Sequence, residues 1–210
     1  YIARRKYDRR MYGKGIIIIL LSIKDMLKKT NWIVITGEPR CGKTKLVEYL
    51  AFCGLRTCPE VSRILIDDAM SRGEESNIVT IEYEKKLFKE KLQAEERFNP
   101  LETVIWDRSP VDSVAFSELY HKRLEEEFIS QLKFQYKHVF YLCNLPQFLP
   151  DYATAETEQS SRFLGNSIKK YYKRLGYVIT EVPVMDIRGR AKFVMERAQI
   201  ASNCQCWVSD

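Results

Sequence analysis

No two of the six cysteines, Cys41, Cys53, Cys58, Cys143, Cys204 and Cys206, stand in the CxxC spacing of a zinc or redox site. That excludes a zinc ribbon and a dithiol oxidoreductase, and the thiols read as reduced side chains of a cytoplasmic protein. Cys204 and Cys206 sit one residue apart in what reads as a tail at 203–210, not a ligand set. Internal repeats and low-complexity tracts are also missing, so no solenoid is expected. The apolar run from Ile16 to Ile23 (IIIILLSI) has eight residues, against the ~20 that a spanning helix needs. It has the length of a signal-peptide core, yet Lys24 to Lys29 follow it where a small-residue cleavage site would stand.

A basic surface for nucleic acid is not expected either, although the net charge is +6. Residues 1–30 hold nine Lys/Arg and two Asp/Glu, and the rest of the chain holds 25 basic against 26 acidic residues. The excess therefore belongs to the first 30 residues, which read as a basic and apolar extension. Two roles stay open for it: packing on the domain, or a weak membrane-surface contact.

From Asn31 onward short apolar runs alternate with amphipathic stretches, the pattern of a parallel sheet covered by helices, over a single α/β domain at 31–202. The run WIVIT (Trp32 to Thr36) predicts a buried central strand. Further strands are expected over Leu55 to Cys58, Glu102 to Trp106, His138 to Cys143 and Tyr177 to Val182. Helices are expected over Lys43 to Phe52, about Glu60 to Met70, Ile78 to Phe98, Ser160 to Leu175 and about Arg190 to Ala201, with one more opening near Pro110. Gly176 stands where a helix C-terminus is expected.

The segment Gly37-Glu38-Pro39-Arg40-Cys41-Gly42-Lys43-Thr44 reads GxxxxGKT between a predicted strand and a predicted helix, the context this phosphate-binding motif requires. Glycines let the backbone wrap a polyphosphate with its N–H groups, and the following helix adds its positive end. Lys43 is expected to reach the outer phosphates, and the Thr44 hydroxyl to ligate Mg²⁺. Asp107, Arg108 and Ser109 close the third strand on the edge where open α/β sheets bind ligands. Asp107 there either holds Mg²⁺ or simply caps the next helix; Arg108 can hold an acceptor or a transferred phosphoryl group. Glu60, with Arg63 near it, either orients and deprotonates an acceptor hydroxyl or is a first-turn glutamate favoured by the helix dipole. Leu145 to Ser161 contains no arginine. Arg162 is the first beyond it, and either enters the site or is a solvated helix residue.

These blocks, in this order, resemble the AAA_28 group of P-loop NTPases, the kinase-like ATPases that include the nicotinamide riboside kinase domain. The resemblance runs over about residues 31 to 200, through ITGEPRCGKTKLVEYLA, PEVSRILID, WDRSPVDSVAF and GYVITEVPVMDIRGRAKFV. It implies a parallel five-stranded sheet in the order 2-3-1-4-5, with a lid after the fourth strand. It also implies that Pro183, Val184 and Met185 lie near the nucleotide base. Where such proteins tend to read Asp-Gly-x-Arg in the lid, this chain has Asp151-Tyr152-Ala153-Thr154. An NKxD guanine-reading motif, an ABC signature and an AAA+ sensor pattern are all missing.

The expected function is Mg-dependent binding of ATP or GTP, with phosphoryl transfer to a nucleoside- or nucleotide-like acceptor held between Glu60/Arg63 and Asp107/Arg108. The alternative is a nucleotide-dependent binding module with an idle acceptor pocket.

Overall fold

The structure, a computed structural model, describes residues 26–73, 80–120, 124–143 and 158–200. Ile16 to Ile23, the lid residues Asp151 to Thr154, and Cys204 and Cys206 lie outside the described residues. Seven strands are present among the described residues: β1 (Lys28–Lys29), β2 (Ile33–Gly37), β3 (Thr57–Cys58), β4 (Ile105–Asp107), β5 (Phe134–Gln135), β6 (His138–Leu142) and β7 (Ile179–Val182). The helices are α1 (Lys43–Phe52), α2 (Val61–Ser71), α3 (Ile81–Glu96), α4 (Pro110–Tyr120), α5 (Glu125–Gln131), α6 (Glu158–Arg174) and α7 (Ile187–Ala198).

The main sheet is parallel throughout and runs β3-β4-β2-β6-β7. Counting its strands along the chain gives 2-3-1-4-5, the order implied by the resemblance. Every residue of β2 is buried, because helices cover both faces of the sheet. Side-chain alternation then divides the core. Ile33 and Ile35 face Leu46, Leu50 and Val194 of α1 and α7. Trp32 and Val34 join Phe88, Val111, Phe128, Ile168 and Tyr172, drawn from α3 to α6, in the other cluster. A one-residue slip of β2 would exchange these two sets, so the register is tightly fixed.

Differences from expectation have local causes. Helix α3 starts at Ile81 because Thr80 caps it, its hydroxyl accepting from Tyr83 N at 3.1 Å. Helix α7 starts at Ile187, three residues ahead of the expected Arg190, because Asp186 caps it through Gly189 N. Strand β4 is shorter at its start and reaches Asp107. The β1–β5 ladder pairs Lys28 with Phe134, and Thr30 donates to Gln135 O at 3.0 Å. With Leu27 also buried, the packed body begins ahead of Asn31. Helix α6 ends as expected, with Gly176 at φ 79.

Candidate active site

The loop from Gly37 to Thr44 joins the carboxyl end of β2 to the first turn of α1. Gly37 has φ 147, and a Cβ there would lie 2.8 Å from Leu142 O and 2.9 Å from Cys41 Sγ, so only glycine fits. Gly42 leaves the loop in the left-handed region, φ 88, and opens the helix. Lys43 is buried and folds back across the loop, Nζ donating to Glu38 O at 2.7 Å. Glu38 Oε1 in turn accepts from Tyr141 of β6 at 3.2 Å. Gly165 of α6 makes room for that pair: a Cβ there would strike the Glu38 side chain and come within 2.5 Å of the Tyr141 hydroxyl.

Thr44 and Asp107 meet as expected. The Thr44 hydroxyl donates to Asp107 Oδ2 at 2.8 Å, while Asp107 Oδ1 is buried and has no hydrogen-bond partner among the described residues. Burial, with Glu60 next, pushes the Asp107 carboxyl up to about 7. A buried carboxylate with one unsatisfied oxygen beside a hydroxyl fits a hard divalent cation that takes its remaining ligands from phosphate and water. It fits less well with a cap, since the Ser109 N–H is taken by Asp112 at 2.9 Å. Among the described residues no group of three His, Cys, Asp or Glu is arranged to hold a metal alone. A cation here would share its ligands with a bound polyphosphate.

Arg108 and Glu60 also come together. Arg108 adopts φ 66, with its N–H on Ile35 O at 3.0 Å. Its Nε lies 2.9 Å from Glu60 Oε1, close enough for an ion pair but misaligned for a hydrogen bond. Its Nη1 donates to Gly37 O at 3.2 Å and meets Asp112 Oδ1 at 3.3 Å. Burial pushes the Glu60 carboxyl up, but Arg108, Lys43 and Lys91, helped by the Ser62 hydroxyl, outweigh it and hold the group below the ordinary carboxylate range. Glu60 is thus an ionised carboxylate at a buried edge, and Arg63 stands half-buried in the same first turn of α2.

Sequence reasoning missed the support behind this pair. Asp112 is fully buried and accepts from Thr36, Ser109 N and Tyr172, the last at 2.7 Å. Lys91 of α3 donates to Ser113 Oγ at 3.0 Å, and burial lowers its pKa despite Asp112 and Glu60. Asp112 stands in the first turn of α4, where an acidic residue is ordinary, so its type alone gave no signal. Lys91 was readable only through its place between Phe88 and Leu92 on the buried face. Also missed is Arg190 of α7, whose Nη1 donates to Cys41 O in the loop at 2.7 Å.

Other expected residues are placed differently. Arg162 stays outside the cluster: its side chain is 70% exposed and pairs with Glu158 at 2.6 Å, within its own helix. The expectation that it enters the site is corrected in this arrangement, because the intrahelical partner lies one turn back and faces solvent. Val184 and Met185 are partly exposed just past β7. Since Val182 pairs with Leu142, and Leu142 with Gly37, they stand on the same edge of the sheet as the phosphate loop.

The AAA_28 family, an AAA domain, matches residues 32–190. The chain belongs to this family. The AAA_28 match begins just ahead of β2 and ends on Arg190, so it takes in the phosphate loop, the Glu60/Arg108 cluster and the start of α7. No curated protein matches the sequence. Among solved structures, a NadR protein in complex with NR is 14% identical with a TM-score of 0.65; the match covers 98% of this chain and 63% of that one. A deoxyadenosine kinase from M. mycoides is 12% identical, TM-score 0.61, with 81% of this chain and all of that chain covered (100%). A thymidylate kinase from Ehrlichia chaffeensis is 11% identical, TM-score 0.53, over 80% and 98% of the two chains. At these identities the likeness is one of fold, that of the P-loop kinases. The AAA_28 chain spans under two thirds of the NadR protein's length. Among the described residues no helix is long and apolar enough to cross a membrane.

Proposed function

We propose that this protein binds Mg·ATP or Mg·GTP on the loop Gly37–Thr44 and transfers the γ-phosphoryl group to a hydroxyl of a small nucleoside- or nucleotide-like acceptor. The observation that carries the reading is the joint presence, on one sheet edge, of the Thr44/Asp107 pair with its unsatisfied Oδ1 and an ionised Glu60 beside Arg108. The similar folds of nucleoside and nucleotide kinases support it.

In this reading, loop amides and Lys43 hold the β- and γ-phosphates, and Val184 and Met185 flank the base. Lys43 leaves Glu38 O to do so. Thr44 and Asp107 would hold Mg²⁺, which supplies charge neutralisation of the phosphates. Glu60 accepts the proton of the acceptor hydroxyl as its oxygen bonds to the γ-phosphorus; the bond to the bridging oxygen breaks and NDP leaves. Arg108 keeps Glu60 ionised and fixes its orientation, while Arg63 contributes to the acceptor's binding. Reduced Cys41, Cys53, Cys58 and Cys143 fit a cytoplasmic setting.

A second reading, a nucleotide-dependent binding module, is favoured by the charge pairing of Arg108, which already stands against Glu60, Asp112 and Gly37 O. One experiment separates the two. Single-turnover NDP formation is measured with Mg·ATP and Mg·GTP against nucleosides, nucleotides and nicotinamide riboside, beside equilibrium nucleotide binding. A kinase shows acceptor-dependent turnover that Glu60→Gln suppresses with nucleotide affinity retained. Tight nucleotide binding with no acceptor-dependent turnover across the panel establishes the module instead.

A further inference from the structure

Arg190 is only 3% exposed. It lies in the first turn of α7, its own N–H bonded to Asp186 O at 3.0 Å. One guanidinium nitrogen, Nη1, holds Cys41 O of the phosphate loop at 2.7 Å. The other two, Nε and Nη2, are buried and make no hydrogen bond among the described residues. These two are the side-on fork of the guanidinium, the parallel donor pair that suits a phosphate or carboxylate. Among the described residues no carboxylate takes it. Arg108, by contrast, has Glu60 and Asp112 in contact, and Lys91 has both acids raising its pKa.

A buried cation without a counter-charge is expensive unless something supplies one. Its position says what. Arg190 holds the loop at Cys41, and its helix follows directly on Val184/Met185 at the same sheet edge. The loop's backbone amides and Lys43 already mark the place for a polyanion. The positive end of α7, which opens at the cap Asp186 four residues before Arg190, adds to the same field.

Resting on the nucleotide reading above, we propose that Arg190 is a phosphate-site cation: it fixes the Cys41 peptide so that the following amides face inward, and its charge is balanced by the polyphosphate of the bound nucleotide. Its contribution therefore grows with ligand charge. A residue that only holds the fold would weaken all ligands alike.

The test compares Arg190→Ala, Arg190→Gln and Arg190→Lys in the full chain, by calorimetry with adenosine, AMP, ADP and ATP, the guanosine series, and inorganic tripolyphosphate. Cys41 alkylation by iodoacetamide is followed in parallel by peptide mass spectrometry, with buried Cys58 reporting on the fold. For Arg190→Ala and Arg190→Gln, affinity for ATP or GTP and for tripolyphosphate is expected to fall at least about tenfold. Nucleosides should change little. The cationic Arg190→Lys should recover most of the loss. Cys41, 1% exposed in the wild type, should label faster in Arg190→Ala while Cys58 stays protected. Equal losses for adenosine and ATP, or Gln performing as well as Lys, overturn the proposal. If Cys58 also labels faster, Arg190→Ala is loosening the fold and the Lys/Gln pair decides. A wild-type chain that binds none of these ligands sinks the nucleotide reading and this proposal together; normal wild-type binding with unaltered variants sinks this proposal alone.

Discussion

The two halves of the sheet edge handle buried charge in opposite ways. On the phosphate side, Asp107 Oδ1 and the Nε/Nη2 fork of Arg190 are buried without hydrogen-bond partners among the described residues. On the acceptor side, Asp112 accepts from Thr36, Ser109 N and Tyr172, and Arg108, whose Nε also lacks an aligned hydrogen bond, has its charge met by both Glu60 and Asp112. Groups left unsatisfied in a packed interior mark where a ligand completes the structure, whereas saturated groups hold other groups in place. In the proposed reading Arg108 therefore acts through Glu60, and Asp107 acts directly.

That contrast can be broken from the saturated side first. Asp112→Ala leaves Arg108 and Lys91 short of their counter-charge and should cost about 3–5 kcal/mol of stability, read from denaturant unfolding. A loss under 1 kcal/mol would show that the cluster is not the structural anchor described. On the unsatisfied side, Lys43→Ala should lower Mg·ATP or Mg·GTP affinity by about a hundredfold with stability nearly unchanged. Calorimetry beside a thermal melt checks both halves of that statement.

A third measurement uses pH. Asp107 is raised to about 7 and Glu95, through burial and despite its bond from Tyr136, to about 8. Both carry protons in the folded protein that the unfolded chain has released, so stability without ligand should fall as pH rises from about 4 to 8. Mg·nucleotide binding, which needs ionised Asp107, should strengthen toward the top of the same window. Asp107→Asn should flatten the binding profile; a profile unchanged by that substitution would remove Asp107 from the metal site.

Two smaller effects sharpen the boundary between the halves. Gly165→Ala pushes a methyl into the Glu38 side chain and the Tyr141 hydroxyl, and should destabilise by about 1–3 kcal/mol. The double substitution Glu38→Ala/Tyr141→Phe should recover most of it. Arg162→Ala should change stability by no more than about 0.5 kcal/mol and leave turnover intact, since its partner is the exposed Glu158. A large loss of turnover would bring Arg162 back into the chemistry.

What was legible in the sequence follows the same division. The loop Gly37–Thr44 and the strand ending in Asp107 announce themselves because backbone geometry dictates their residue types at fixed spacing. The sheet order came through the resemblance and holds strand by strand. Asp112, Tyr172 and Arg190 were illegible for a different reason: each sits on a helix where its type is ordinary, and its role arises only when chain-distant residues meet, as when Tyr172 reaches Asp112. The β1–β5 ladder was missed because Lys28 and Lys29 are exposed and carry no alternating apolar pattern. Strand β3, expected over Leu55 to Cys58, is confined to Thr57–Cys58, since so short a run fixes no boundary.

The same short ladder sets the polarity of the molecule. It ties Lys28 to Phe134, and both lie just upstream of strands whose opposite ends carry Gly37 and Leu142. The ladder thus lies at the pole facing away from the loop Gly37–Thr44, a five-residue strand of roughly 17 Å distant. Substitutions or labels at the exposed Lys28 and Lys29 should therefore leave the loop edge undisturbed, since a full strand length separates the two poles.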